Sequence, residues 1–137
     1  MQGLVICSSA TQIPLREGGS HPTGNFLGEL VEPVEALLNI PGLKLSFATP
    51  RGAPVSIDKH SYDLMYWGFS KKNLESGKRV FDELLALGLK SPQALSTFAS
   101  DDVLKDYDFV FVPGGHGPMV DILHEDFCES PALNAAT

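Results

Sequence analysis

The sequence predicts an α/β domain with a parallel sheet carrying helices on both faces, and three observations point to it. Short apolar runs at residues 4–7, 43–48 and 109–112 are rich in β-branched and aromatic side chains, as buried strands are. Between them lie longer stretches of helical period, and strands joined by helical crossovers pair in parallel. The chain has 137 residues, 43% of them hydrophobic, with no internal repeat or linker, which is the size of one domain over residues 1–137.

Leu4, Val5, Ile6 and Cys7 form the first strand, and the Ser-, Thr-, Gly- and Pro-containing stretch from there to Gly24 reads as a site-lining loop, being longer than most strand-to-helix connections. Phe26, Leu27, Leu30, Val31, Val34, Leu37 and Leu38 recur at helical spacing, so a helix is predicted over residues 25–39, ended by Pro41 and Gly42. Pro33 removes the bond to the Glu29 carbonyl, which places a kink there. Residues 43–48 form the second strand and residues 49–52 a turn. Residues 53–70 lack a clean period but concentrate Tyr62, Tyr66, Trp67 and Phe69. They read as a lid-like insertion or as an apolar cluster under a long loop.

An amphipathic helix follows over residues 70–87 through Leu74, Val80, Phe81, Leu84, Leu85 and Leu87, with Gly88 as its stop. Residues 90–100 read as a connector and residues 101–105 as a short helix feeding the third strand. Val110, Phe111 and Val112 have the content of a central strand, and Pro113 stops its pairing. Gly114, Gly115 and Gly117 then permit positive φ and close backbone approach, so that main-chain N–H groups can face a cleft, with His116 at the tip. A further helix is predicted to start near residues 119–123.

The stretch Thr23-Gly24-Asn25-Phe26-Leu27-Gly28-Glu29, followed by Leu30-Val31-Glu32-Pro33, together with the first strand and the Gly-Gly-His-Gly turn, resembles the ThiJ/PfpI superfamily of the class I glutamine amidotransferase-like fold. The likeness spans most of residues 3–123 and is to the branch holding glutathione-independent glyoxalases (glyoxalase III) and heat-shock holdases. It implies a flavodoxin-like sheet, Glu29 as the proton-handling acid beside a nucleophilic cysteine, and a facing backbone loop of Gly114, Gly115, His116 and Gly117. It further implies a small reactive aldehyde such as methylglyoxal as substrate, lactate as product, no cofactor, no glutathione, and a possible homodimer.

The family's cysteine sits on an A-x-C-H-G-P elbow, a motif that does not occur between Met1 and Thr137. Cys7 closes an apolar run and reads as a small buried hydrophobe. Cys128 follows Asp126 and Phe127, and acidic neighbours raise a thiol pKa. The chain therefore reads as an N-terminal portion of the domain, inactive alone. Glu29, lying between Leu27, Leu30 and Val31, is expected to be buried, so that desolvation lets it hold a proton near neutral pH, with Glu32 and Glu35 on other faces.

Composition narrows the rest. A net charge of −7 with pI near 4.9 and dispersed basic residues argues against nucleic acid as a partner. No apolar run is long enough to cross a bilayer, and the start of the chain does not read as a secretory signal, so a cytoplasmic location is expected. His124 and Cys128 are four apart, and His21 or His60 could join them, but no CxxC or HExxH pattern supports a metal. No lysine and Ser/Thr follow Gly117 in P-loop order. Three classes of function remain: a glyoxalase III-like lyase, a stress holdase using the lid aromatics, and a non-catalytic product.

Overall fold

The computed structural model describes residues 1–124. Its elements run β1 (Gln2–Ile6), β2 (Gln12–Pro14), β3 (Ser20–Pro22), α1 (Leu27–Leu38), β4 (Lys44–Thr49), α2 (Lys71–Leu84), β5 (Gln93–Ala94), α3 (Asp101–Leu104), β6 (Phe109–Phe111) and α4 (Gly117–Val120). Short 3-10 turns lie at Lys59–Tyr62, Leu64–Trp67, Leu95–Phe98 and Ile122–His124.

Alternation along β1 divides the core into two layers. β1 pairs in parallel with β4 on one side and β6 on the other, Val5 lying opposite both Phe47 and Phe111. Side chains leave a strand on alternate faces. Val5 and Cys7 accordingly enter the layer made with Leu27, Leu30, Val31 and Val34 of α1 and Val80 and Leu84 of α2. Leu4 and Ile6 enter the opposite layer, with Leu95, Phe98, Leu104 and Ile122. The flavodoxin-like parallel sheet with helical cover on both faces is thus realised, in the order β5-β4-β1-β6.

Several boundaries differ from expectation. The predicted loop before Gly24 contains an antiparallel hairpin, β2 with β3, in which Ile13 faces His21. Gly18 and Gly19 at its turn have φ of 97° and 76°, values that cost glycine little. The connector over residues 90–100 hides β5, which extends the sheet beside β4 through Ala48 and Thr49. Two residues are too few to display a period. α1 begins at Leu27, not at Asn25, because Asn25 is engaged in bridges to Ile57 and Gly115, and it continues as one helix through Pro33.

Ser70 caps α2 by accepting from the Asn73 N–H, the usual use of serine there. The helix gives way after Leu84 to a wider turn over Leu85–Leu89, with Gly88 at φ 143°. The fourth helix starts at Gly117 rather than near Met119, with Pro118 in its first turn, where a missing N–H costs nothing.

Residues 53–70 contribute to the core in part. Trp67 is 6% exposed, and its Nε1–H donates to the Ser61 carbonyl at 2.8 Å. Tyr62 packs against the same core layer. Tyr66 and Phe69, by contrast, stand in solvent at 51% and 78% exposure.

Candidate functional site

The site is assembled where three segments meet at the C-terminal ends of β1 and β6. The Phe26 N–H donates to the Gly114 carbonyl at 2.9 Å, and the Gly117 N–H donates to the Gly24 carbonyl at 3.2 Å. These bonds hold the residues before α1 against the turn after β6. The glycines are there because the backbones touch: a Cβ on Gly115 would lie 2.6 Å from the Gly24 carbonyl oxygen and 2.9 Å from the Phe26 nitrogen, at φ 134°. A Cβ on Gly117 would lie 2.6 Å from the Ser8 hydroxyl. The reverse also holds, since one on Gly24 would lie 2.6 Å from the Ile57 carbonyl carbon.

Glu29 stands one turn into α1, and its carboxylate lies over Gly114. A Cβ there would be 2.7 Å from Glu29 Cδ and 2.8 Å from Oε1. Glu29, Gly115 and His116 line a cavity of about 860 Å³, together with Phe26, His21 and His60, a volume within the usual range of small-molecule sites. Tyr66 also stands in its wall, its ring edge-on to Phe26 at 4.7 Å between centroids. Asp58, also in the wall, is buried and receives the His60 N–H at 2.9 Å.

The structure thus brings together Glu29, Gly114, Gly115 and His116, while Gly117 sits behind them against Ser8. Two expectations about the acids are corrected. Glu29 is exposed rather than buried, because the buried stripe of α1 is Leu27, Leu30, Val31 and Val34, and position 29 falls off that stripe. Glu32 does not occupy another face but lines the same cavity, as residues three apart on a helix do.

Cys7 is fully buried, and burial pushes its thiol up from 9.0 to about 12. It packs in the sheet-to-α1 core and is no nucleophile. Cys128 lies outside the described residues, and so does the weakly supported metal candidate that it would share with His124. The fold brings His21 and His60 together as a parallel stack, 5.5 Å between centroids, yet among the described residues no group of three ligands that could hold a metal is formed.

Reasoning from sequence missed Asn25 and Asp121. Asn25 is fully buried with its amide bonded to Ser8 and Ser56. Asp121 accepts from the Ser8 hydroxyl at 2.9 Å and from the Ser9 and Ala10 N–H groups at 2.9 and 3.1 Å. The polar residue between Gly24 and the apolar period was the available signal for Asn25. Nothing local marks Asp121.

The chain is similar in sequence and in fold to known proteins. No protein-family model matches the chain. It is 31% identical over 123 residues to the protein/nucleic acid deglycase HchA of Pseudomonas aeruginosa, in strains LESB58 and UCBPP-PA14, a match covering 88% of this chain and 39% of the relative. Glyoxalase III from Candida albicans superposes with a TM-score of 0.67 at 21% identity, over 98% of this chain and 51% of that one. Rapid Encystment Protein 24 kDa of Francisella tularensis superposes with a TM-score of 0.59, also at 21% identity, over 98% and 53%. The chain spans about two fifths of the curated relatives it matches and about half of the solved structures.

Proposed function

We propose, from the likeness to the deglycase relatives and the fold shared with glyoxalase III, that the chain is a member of the ThiJ/PfpI superfamily and supplies the proton-handling side of a glyoxalase- or deglycase-type site acting on reactive carbonyl compounds. The observation that carries the proposal is the Glu29 carboxylate lying over Gly114 in the wall shared with Gly115 and His116. In the reaction so assigned, a thiolate adds to the aldehyde carbon of methylglyoxal and the carbonyl oxygen takes a proton. Glu29 then carries a proton between the two substrate carbons. The aldehyde carbon is oxidised to the acid level, the ketone carbon is reduced to the alcohol, and water releases lactate, so that methylglyoxal plus water balances lactate with no external oxidant. The backbone at Gly115 and His116 faces the oxygen on which charge develops.

The thiolate is the component that Cys7 does not provide, since its sulfur is in the core. We therefore expect the 137-residue chain to consume methylglyoxal at the uncatalysed rate while still contacting it in the cavity. The cavity also leaves room for a carbonyl carried on a larger molecule. The deglycase relatives are named for protein and nucleic acid alike, which weakens the expectation that nucleic acid is no partner. The net charge of −7 opposes a held phosphate backbone more than a brief contact at one modified base.

The test is glutathione-free methylglyoxal turnover, with NMR shifts of the cavity residues during titration with the same compound, in the unchanged chain and in Glu29→Gln, Cys7→Ser and Cys128→Ser. The proposal expects shifts at Gly115 and His116 that weaken at least tenfold in Glu29→Gln. Fast turnover that disappears in either cysteine variant would overturn the assignment of the missing thiol. A holdase reading draws on exposed Met65, Tyr66 and Phe69 in the lid. Suppression of client aggregation that is lost in Phe69→Ser but kept in Glu29→Gln would favour it.

A further inference from the structure

Asn25 does not itself line the cavity, yet four segments that build the wall or support it converge on it. Its side-chain oxygen accepts from the Ser8 N–H at 3.0 Å, and its amide nitrogen donates to the carbonyls of Ser8 at 2.9 Å and Ser56 at 2.7 Å. Its backbone N–H donates to the Ser56 carbonyl at 3.0 Å, and its carbonyl accepts from the Asp58 N–H at 2.9 Å. On its other side it pairs with Gly115 in an antiparallel bridge. One fully buried residue thus ties the end of β1, the lid at Ser56 to Asp58, the start of α1 and the glycine turn.

Ser8 closes the arrangement. It bonds the Asn25 amide through its backbone, and its hydroxyl donates to Asp121 at 2.9 Å, a residue just beyond α4. The glycine turn is therefore held from both ends, by Asn25 before α1 and by Asp121 after α4. Glu29 is four residues beyond Asn25, and the intervening Phe26 N–H is fastened to the Gly114 carbonyl. Asn25 thus stands at the start of the segment that carries the carboxylate to the turn.

We infer that Asn25 is a positioning residue: through its three side-chain hydrogen bonds it fixes the glycine turn and the lid relative to Glu29, without touching substrate. The inference rests on the reading of the cavity as a carbonyl site. An asparagine suits the task because its amide presents an acceptor and two donors in one plane. Here these meet one N–H and two carbonyls. Aspartate has the same shape but turns the donor side into an acceptor facing two carbonyl oxygens, so Asn25→Asp perturbs the contacts with little change in volume.

The experiment compares the full chain with Asn25→Asp and Asn25→Ala, by amide hydrogen exchange and by NMR titration with methylglyoxal. In Asn25→Asp the Phe26 and Gly117 amides, which report the two bonds across the turn, should exchange at least tenfold faster while β1 amides change less than twofold. Methylglyoxal contact at Gly115 and His116 should weaken at least tenfold with Glu29 intact. Asn25→Gly, which lacks the amide but not the backbone bonds, replaces Asn25→Ala if that variant fails to fold. Uniform acceleration across β1 would make Asn25 a general stabiliser and overturn the inference, as would selective loosening with undiminished methylglyoxal contact. If the unchanged chain shows no contact with methylglyoxal, the carbonyl reading falls. The exchange pattern then still decides whether Asn25 sets the turn.

Discussion

Gly114 and Gly115 are neighbours with no room for a side chain, but the obstacle differs in kind. At Gly114 it is the end of the Glu29 side chain, which can swing away; at Gly115 it is backbone, at a positive φ. Gly114→Ala should therefore cost less than about 1 kcal/mol of stability while displacing the carboxylate, and Gly115→Ala should cost about 2–4 kcal/mol. Urea denaturation of the two variants checks the contrast, and equal losses would contradict it. Cys7 gives a pH prediction. Its folded thiol is raised from 9.0 to about 12 by burial, so above pH 9 the unfolded chain releases the proton first and the folded state binds more protons. Stability from this group is complete below about pH 9 and is lost as pH rises towards 12, by at most about 1.4 kcal/mol per pH unit. Denaturation curves at pH 8 to 11 should show a fall that Cys7→Ala lacks. Equal slopes in the two proteins would mean that the thiol is not buried.

At the scale of elements, the segment over residues 53–70 packs against α2 through Trp67. A Cβ on Gly77 would lie 2.6 Å from Trp67 Cζ3, so α2 carries glycine in mid-helix to admit the indole. Replacing that glycine gains about 1 kcal/mol in helix propensity and forces the ring out of a filled site, which costs about 1–3 kcal/mol. Gly77→Ala should be net destabilising by about 1 kcal/mol, with the Trp67 emission shifting to the red as the indole meets water. A stabilised protein with unchanged emission would show that the lid is free to re-seat. Asn73 adds a second tie, its amide donating to the Trp67 carbonyl at 3.2 Å, so Asn73→Ala should loosen the lid without touching α2 packing.

For the whole molecule the sheet order matters most. β1 lies in the middle, paired on both sides, whereas β6 is paired with β1 alone among the described residues and Val112 beyond it is exposed. A strand edge of this kind is a template for further pairing. The chain should associate as its concentration rises, and Val112→Lys should weaken that association at least tenfold, as sedimentation velocity would read. Association unchanged by the lysine would place the contact elsewhere. The relatives, about twice the length or more, have further chain with which such an edge could pair.

Much of the fold was legible because its signals are local. The β-rich runs at residues 4–7, 43–48 and 109–112, the helical period after Phe26 and the amphipathic stretch ending at Gly88 each state their own class, and parallel pairing follows from the crossovers between them. The resemblance carried by Thr23 to Glu29 and by Gly114 to Gly117 named the two parts that the structure brings together. The exposure of Glu29 was decided only in three dimensions, because the phase in which α1 meets the sheet turns Leu27, Leu30 and Val31 inward and leaves positions 29 and 32 to the cavity. The roles of Asn25 and Asp121 and the stacking of His21 on His60 were likewise tertiary. Each joins residues far apart in the chain, and a hydrogen bond or ring contact across such a distance leaves no period or spacing in the sequence.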